Sequence, residues 1–399
     1  MPSVDTTAID SPIAVWGYGF RPFFLGSGIA AVLAVGMWIL NLMYGVPLPG
    51  SWPPVLWHAH ELLHGVLIAA LAGFLLTAVP NWTGQNRLHG ARLACLTGLW
   101  VAGRLAISMA ALLPPSLVAL VDCAFLPVLA LAIAKPLFAT GHRNRMLLLV
   151  LAALFATQCV FHLALIRHDS PTALLAVHAA LNLLLLLVTV IGGRIIPAFT
   201  TGALQRQGVA YAPRTVPYLG EAVVLLMILQ GLAEPCGLSP GITALICALA
   251  GLAQGARLVL WRGPLKKMGP LTAVLHVVYA LLPLGLLLKA LAITTHSAST
   301  AFWWHLLTIG VLAGMVLAVM TRASLGHTGR SLVAAPSTVV AYALLLLAAL
   351  LRVFGLAPLH LSYPLALGLA ALAWISAFGL YLGVYAPILL RRRADGREG

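Results

Sequence analysis

The sequence predicts an all-α protein that crosses a membrane many times, and three observations support this prediction. Hydrophobic residues make up 61% of the 399-residue chain, whereas charged residues make up only 8%. The mean hydropathy is +1.02. The apolar residues form long runs close to the ~20 residues that a transmembrane helix requires. A soluble domain could not bury so much apolar surface, so the chain belongs to the class of polytopic membrane proteins.

Turn residues and charges divide the chain into twelve apolar runs, and each run is expected to form one transmembrane helix. The runs lie near residues 23–44, 58–80, 91–113, 116–138, 146–166, 173–197, 216–232, 239–261, 270–292, 301–322, 335–356 and 361–390. Only Pro114 and Pro115 separate the third run from the fourth, which predicts a tight turn there. The seventh run is the shortest of the twelve.

The basic residues predict that both termini are cytoplasmic. The formal net charge is +14, and most of the 23 Lys and Arg residues fall at one end of the twelve predicted helices. The exceptions are Arg104, Arg167, Lys289 and Arg352. Basic residues concentrate on the cytoplasmic side of membrane proteins. Because they form no stripe on a soluble face, the lipid bilayer is the expected partner and nucleic acid is not.

This orientation divides the chain into three parts. Residues 1–22 are predicted to form a cytoplasmic N-terminal segment, residues 23–390 a single membrane domain, and residues 391–399 a basic cytoplasmic tail. The five cysteines are scattered and form neither C-x-x-C nor C-x-x-C-H. The sequence therefore contains no disulfide framework and no signature for covalent attachment of a c-type haem.

A histidine recurs at the same position in the second, sixth and tenth predicted helices. His60, His178 and His305 are each followed 24 residues later by the glycine of a Thr-Gly pair. Those pairs lie at 83–84, 201–202 and 328–329. The spacing indicates three copies of a four-helix unit in a pseudo-threefold arrangement, near residues 23–138, 146–261 and 270–390. A chance alignment in a chain rich in Leu and Ala is the alternative.

The stretch W-H-A-H-E-L-L-H-G, residues 57–65, places four ionisable groups at the start of the second helix. Such groups are costly in a membrane and therefore indicate a function. His60 and His64 share one helix face, His58 points roughly to the opposite side, and Glu61 lies between the directions of His58 and His64. Imidazole suits iron, copper and zinc, and a carboxylate can orient a ligating ring. The stretch is interpreted as metal-binding, although His58, next to Trp57, could simply line the water interface.

Further candidate ligands lie on other helices. His178 and His305 are predicted at a depth similar to that of His60, and histidines at one depth can hold a haem between two axial ligands. A packing role for His178 and an interfacial role for His305 are the alternatives. His276, on the ninth helix, is a candidate metal ligand or proton relay.

Arg104 is predicted to lie well inside the third helix, in its outer half. A buried guanidinium needs an anionic partner. The sequence offers two kinds of partner for it. One is a haem propionate, which would make Arg104 a cofactor-binding residue. The other is a carboxylate such as Asp122.

Five longer strings carry a resemblance to a known family. They are G-F-R-P-F-F (19–24), W-H-A-H-E (57–61), G-F-L-L-T-A-V-P-N-W-T-G (73–84), G-G-R-I-I-P-A-F-T (192–200) and A-V-M-T-R-A-S-L-G-H-T-G-R (318–330). On these strings the sequence resembles the NnrS family of bacterial inner-membrane proteins over nearly its whole length. The resemblance implies a b-type haem, copper and an association with denitrification or nitric oxide stress. The position of His64 is usually not histidine in the family, which weakens His64 as an essential ligand.

The predicted layout also resembles the catalytic subunits of haem-copper oxidases and nitric oxide reductases. Those proteins have twelve helices in pseudo-threefold units and carry histidine ligands on the second, sixth and tenth helices. This chain lacks their H-P-E-V-Y-type string on the sixth helix and their paired histidines on the next one. A shared fold does not transfer an activity, so oxygen reduction and proton pumping are not expected.

These observations predict a membrane protein of the bacterial inner membrane that binds or turns over nitric oxide or a related nitrogen oxide. His60 and His305 are the predicted axial haem ligands, and Glu61 is the predicted catalytic group, as an orienting residue or proton donor. A second metal is assigned to His178 with His58 or His64. Whether the protein is an oxidoreductase resembling nitric oxide reductase stays open, as does its electron donor. A proton-coupled transporter and a non-catalytic haem-based nitric oxide sensor or protective factor are the alternatives.

Overall fold

The computed structural model describes residues 14–50, 52–141, 143–261, 265–296, 300–355 and 359–397. It is 81% helical, and its described residues include no β-strand. The all-α prediction is therefore confirmed. The predicted N-terminal segment and C-terminal tail lie partly outside the described residues, at 1–13 and 398–399.

Within the described ranges, eleven helices are long and apolar enough to cross a membrane, and a further apolar helix is only 15 residues long. Numbered in chain order, the twelve are α1 Phe20–Tyr44, α2 Pro54–Thr83, α3 Gly90–Ser108, α4 Pro115–Ala139, α5 Asn144–Ile166, α6 Ser170–Gln205, α7 Leu219–Ala233, α8 Pro240–Trp261, α9 Pro270–Thr294, α10 Phe302–His327, α11 Pro336–Phe354 and α12 Tyr363–Leu390. The protein is thus a multi-pass membrane protein. The twelve predicted runs each correspond to a helix, but α7 is about 22 Å long, shorter than a typical ~30 Å hydrocarbon core.

Most consecutive helices pack against each other, and α12 packs against α1, so the bundle closes on itself. Two helices occupy its centre. In their most apolar stretches, 78% of α2 and 72% of α10 is buried, against 33–56% for the other nine long helices. The helices that carry His60 and His305 are therefore surrounded by protein on most sides, whereas the others face lipid over about half of their surface or more.

An apolar cleft of about 640 Å³, open at its mouth, lies where α2, α6 and α10 meet. Residues from the middle of each helix line it, among them Leu71, Phe74, Val188, Ile191, Val316 and Val319. The three helices that share the histidine spacing in the sequence therefore converge on one space. No imidazole is among the residues that line this cleft.

Two of these helices contain a π-helical segment, and each segment begins directly after the recurring histidine. The segments are Glu61–Leu67, after His60, and Leu306–Ala313, after His305. A π segment widens the turn by one residue and occurs often at functional sites. The third member of the set, α6, continues as a regular α-helix past His178.

Side chains from neighbouring helices stabilise the widened turn of α2. The carbonyl oxygen of His64 accepts a hydrogen bond from Trp100 Nε1 at 3.0 Å, and that of Val66 accepts one from Ser27 Oγ at 2.9 Å. These bonds satisfy carbonyl oxygens of the π-helical segment, where the backbone hydrogen-bond pattern of α2 is irregular.

The hydrogen-bond ladder of α4 misses one bond close to the candidate site. The helix is divided into Pro115–Cys123 and Phe125–Ala139, although Ala124 between them keeps helical backbone angles and its N–H donates to the Leu120 carbonyl at 3.2 Å. Pro127 lacks the N–H that would bond to the carbonyl of Cys123, four residues earlier, so the helix is weakened at this point.

The two ends of the chain meet at one end of the bundle. The Ala14 N–H donates to the Leu390 carbonyl at 2.8 Å. Arg21, which is fully buried, donates through NH1 to the carbonyls of Leu389 and Arg391 at 2.8 and 2.7 Å. Residues 14–21 and 389–391 are therefore on the same side of the protein.

Candidate metal centre

Three helices bring one titratable side chain each to a common point. The ligand atoms of His60 on α2, Asp122 on α4 and His162 on α5 all lie within 4.8 Å of one another. All three residues are buried, at 0%, 2% and 4% exposure. In the part of the chain that the structure describes, this is the one such group of three or more His, Cys, Asp or Glu residues. We call it the His60–Asp122–His162 cluster.

Asp122 lies between the two imidazoles. Its Oδ2 atom is 2.8 Å from Nε2 of His162 and 3.0 Å from Nε2 of His60. The first contact is a hydrogen bond, whereas the second is not, and Nε2 of His60 is buried without a hydrogen-bond partner. A metal ion bound here would take the place of the proton that His162 and Asp122 now share.

Glu61 orients the ring of His60 from its other side. Oε1 of Glu61 is 3.3 Å from Nδ1 of His60. A carboxylate at this position favours the tautomer with the proton on Nδ1, which leaves the Nε2 lone pair directed toward Asp122. With the proton on Nδ1, Nε2 of His60 would be available as a metal ligand.

Arg104 joins the two carboxylates of the site. Its NH1 donates to Oε1 of Glu61 at 2.6 Å, and its NH2 donates to Oδ1 of Asp122. Of the two partners that the sequence offered for this guanidinium, the structure therefore contains the carboxylate. With neutral imidazoles, two carboxylates and one guanidinium leave one negative charge, which favours a bound cation.

Gln158 and two aromatic rings hold the cluster in place. Nε2 of Gln158 donates to Oδ2 of Asp122 at 2.7 Å and to its backbone carbonyl at 3.2 Å. Phe161 stacks on the ring of His60 at 4.8 Å, and Trp52 packs edge-on against both imidazoles of the cluster, at 5.2 and 5.5 Å. The rings exclude water and restrict the rotation of the imidazoles.

A cleft of about 650 Å³ reaches the cluster at His162. Its lining residues are Trp52, Pro53, Ala110, Pro115, Val118, His162, Leu165, Ile166 and His168. They come from the connection before α2, from the connection between α3 and α4 and the start of α4, and from the end of α5 and the connection after it.

The other two histidines of the 57–65 stretch differ in their surroundings. The ring of His64 is buried 4.4 Å from that of His60, beside the cluster. His58 stacks on Trp38 at 4.3 Å, and its Nδ1 is buried without a hydrogen-bond partner. His305 lies close enough to His58 for the two imidazoles to interact electrostatically.

The remaining sequence candidates lie apart from the cluster. His178 stacks on Trp304 at 4.4 Å, near the ion pair that Lys289 and Glu234 form at 2.8 Å. Nε2 of His276 is 2.8 Å from Oγ1 of Thr200, in the inner half of the bundle. The structure thus brings His60 together with His162 and Asp122, and the contacts of His178 and His276 are with other groups.

His162 and Gln158 were not among the sequence candidates. Both stand in an apolar run, four residues apart, and would therefore share one face of a helix. A lone carboxylate in the preceding run, Asp122, would be their natural partner. This signal is present in the sequence, but nothing in it indicates that these two helices face the start of α2.

Comparison with known proteins identifies one family. The sequence profile described as "NnrS protein" matches residues 14–393, which is nearly the whole chain. No curated protein matches the sequence.

Proposed function

The chain belongs to the NnrS family, and from this premise we propose that it binds or turns over nitric oxide or a related nitrogen oxide. It would do so with haem b and copper in the bacterial cytoplasmic membrane, in denitrification or in defence against nitrosative stress. The observation that carries the proposal is the buried His60–Asp122–His162 cluster. Its two imidazoles and one carboxylate are a donor set that suits copper or iron.

The residues of the cluster fit a single metal ion. Nε2 of His60 is buried and unpartnered, and the group has one negative charge in excess when its imidazoles are neutral. A metal ion bound by three protein ligands would supply an open coordination position to a small ligand. Glu61 would keep His60 in the ligating tautomer, while Phe161 and Trp52 would keep water out.

Glu61 is the residue of the site best placed to handle a proton. Its side chain is 12% exposed, against 1% for His60 and Asp122, and it contacts both His60 and Arg104. We assign it the role of orienting His60 as a carboxylate and, once it has taken up a proton, of donating that proton to a bound ligand.

The haem ligands are a separate part of the proposal. The pairing of His60 with His305 on one haem stays a prediction. We propose a different division, in which His60 binds the metal ion of the cluster and His305, which is close enough to His58 for an electrostatic interaction, acts with His58. Arg352 lies near His58 and would be available to a haem propionate.

The topology is also part of the proposal: twelve spans with both termini in the cytoplasm. The contact between residue 14 and residue 390 supports it, because chain ends on one side of a membrane require an even number of crossings. The short α7 would then be a span, in agreement with the distribution of Lys and Arg.

The test is a metal analysis and an absorption spectrum of the purified protein, reduced and with nitric oxide added. We expect copper and iron in the wild type and a Soret band that shifts with nitric oxide. His60→Ala and His162→Ala should each lower the affinity of the cluster for its metal by at least ~100-fold. This loss is larger than the ~10–100-fold that is typical when a residue supporting a ligand is changed.

His327→Ala is the control, because it removes a half-buried imidazole in the inner half of the bundle, where Tyr18 and Phe20 contact it. It should leave the metal content unchanged. A wild-type protein that is colourless and free of copper and iron would contradict the proposal and favour a transporter. A Soret band that shifts without any turnover in the presence of a reductant would indicate a sensor.

A further inference from the structure

A buried arginine lies just beyond one end of the apolar cleft that α2, α6 and α10 form. The residues that line the cleft end at Val319 and Met320 on α10, and at Ile195 on α6. Arg322 follows within one turn on α10, and Phe199 follows about one turn later on α6. The guanidinium carbon of Arg322 lies 4.0 Å from the centre of the Phe199 ring. A positive charge is therefore placed about one turn beyond the apolar lining.

Arg322 is buried without a carboxylate partner. Only 7% of the residue is exposed, and its NH1 donates to Oγ1 of Thr272 on α9 at 3.3 Å. None of the ion pairs among the described residues includes Arg322. The three helices that meet at its side chain, α6, α9 and α10, contain no Asp or Glu. Because buried charges are normally paired, this position suits an anion that is not part of these helices.

A second guanidinium lies close by on α6. NH1 of Arg206 is 3.6 Å from the position that a Cβ atom of Gly202 would occupy. Gly202 comes three residues after Phe199, so the guanidinium groups of Arg322 and Arg206 contact neighbouring turns of α6. Arg206 is exposed, whereas Arg322 is buried. The end of the cleft therefore carries one buried and one accessible positive charge.

The cleft itself suits an apolar chain. Every residue that lines it is apolar or glycine. The lining residues from Leu312 to Met320 on α10 cover about 12 Å along the helix axis, at ~1.5 Å per residue. Leu67 and Leu312, which belong to the two π-helical segments, are among them. An apolar cavity stays dry and accepts apolar molecules, so an apolar occupant would fill the space beside both segments.

From this arrangement we propose that the cleft binds one acyl chain of an anionic phospholipid, whose phosphate group pairs with Arg322 and Arg206. Arginine forms strong, charge-assisted hydrogen bonds with phosphate. The chain gains little free energy on moving from the bilayer into the cleft, because both are apolar. The headgroup therefore determines which lipid binds.

The position of the two arginines also fits a lipid headgroup. They lie toward the end of α6 and of α10, and the end of α10 contacts the C-terminal residues of the chain. In the topology proposed above, this end of the bundle faces the cytoplasmic leaflet. Basic pockets between transmembrane helices on the cytoplasmic side bind anionic headgroups.

The first test measures lipid binding to the full-length protein in detergent by native mass spectrometry. Phosphatidylglycerol is compared with phosphatidylcholine that has the same acyl chains. We expect one phosphatidylglycerol to bind at least ~10-fold more tightly, because two arginines attract its net negative charge. Arg322→Gln should remove this preference, and Arg322→Lys, which keeps the charge, should retain part of it.

Arg92→Gln is the matched control, because it removes an exposed arginine at the start of α3. It should leave the preference for phosphatidylglycerol unchanged. Equal affinities for the two lipids in the wild type would indicate a neutral occupant and would overturn the proposal. A preference that survives in Arg322→Gln, or that Arg92→Gln removes to the same extent, would also overturn it.

A second test locates the acyl chain. Phosphatidylglycerol with a diazirine in the middle of one chain is bound to the wild type and illuminated. The label should appear on residues that line the cleft, such as Leu71, Ile191 and Val316. Labelling confined to exposed residues on the outside of the bundle, such as Leu131, would contradict binding in the cleft.

Discussion

At the scale of single residues, the position of Asp122 depends on a glycine in the neighbouring helix. A Cβ atom at Gly103 of α3 would lie 3.0 Å from Oδ1 of Asp122 and 3.4 Å from its Cα. The same Oδ1 atom accepts a hydrogen bond from Arg104, the residue after that glycine. The close approach of α3 and α4 at Gly103 thus allows the carboxylate to contact the guanidinium.

Gly103→Ala should therefore displace the carboxylate of Asp122 and lower metal affinity by about tenfold or more, measured by competition with a chelator. Gly98→Ala on the same helix is the matched control, because nothing lies within 4 Å of the added methyl group. It should keep the metal and gain up to ~1 kcal/mol of helix stability. Equal metal affinities in the two variants would refute the role of Gly103.

Gln158 supports Asp122 from the other side. Gln158→Leu removes the hydrogen bonds to Oδ2 and to the backbone, so metal affinity should fall by ~10–100-fold. The free energy of unfolding should fall by ~1.5–3 kcal/mol, as for other hydrogen bonds to charged groups.

Gln230→Leu is the matched control for this effect. Gln230 is equally buried and donates to Asn182 at 3.0 Å, in the contact between α6 and α7. Its replacement should destabilise the protein without a change in metal content. If both variants lose the metal to the same extent, the loss reflects stability and not the support of Asp122.

At the scale of secondary structure, the elements that deliver the site are irregular. α2 changes to a π-helix at Glu61, directly after His60, and α4 lacks the hydrogen bond to the carbonyl of Cys123, the residue after Asp122. α5, which carries His162 and Gln158, is a regular helix from Leu147 onward. An irregular turn changes the direction in which the neighbouring side chains point. Both irregularities lie next to a residue of the cluster, His60 or Asp122.

Pro127→Ala should reveal how far the missing hydrogen bond of α4 affects the metal site. The new N–H could bond to the carbonyl of Cys123 and complete the ladder of α4, which would tighten the helix beside Asp122 and shift its carboxylate. A proline in a helix interior costs ~3 kcal/mol, so the variant should be more stable but bind metal at least ~10-fold more weakly.

Pro136→Ala makes the same chemical change in the second part of α4, several turns from the cluster. Thermal unfolding and chelator competition on both variants separate the two effects. A Pro127→Ala protein with wild-type metal affinity would disprove a role for the missing hydrogen bond.

At the scale of the whole molecule, the contact between the chain ends constrains the topology. The N–H of residue 14 bonds to the carbonyl of residue 390, and Ala394 bonds to the Thr328 carbonyl at the end of α10. The beginning of α1 and the ends of α10 and α12 are therefore together. Eleven crossings would separate the two chain ends, so α7 has to cross the membrane if they share a side.

Cys236 allows a direct test of this requirement, because it is exposed and follows the end of α7. A membrane-impermeant maleimide added to spheroplasts should label it from the outer side before the membrane is permeabilised. Cys236→Ser should lose that signal. Labelling that requires permeabilisation would contradict the proposed orientation of α7 and, with it, the twelve-span topology.

The sequence predicted the helices well and the site only in part. All twelve apolar runs correspond to helices, because apolar length is a local property of the chain. The stretch from His58 to His64 was recognised because its ionisable groups are adjacent in sequence. His162 was missed, since its partners are 40 and 102 positions away and no local pattern joins them.

The sequence by itself determined that the chain is a helical membrane protein, where its helices lie, and that His60 stands in a functional stretch. These conclusions rest on the cost of exposing backbone and charge to lipid, which acts on each segment separately. Tertiary structure decided which groups share the site. The packing of α2, α3, α4 and α5 places His162, Asp122 and Arg104 around His60, while His178 and His276 contact other groups. Helix packing depends on the fit of whole surfaces, which the order of residues along one helix does not reveal.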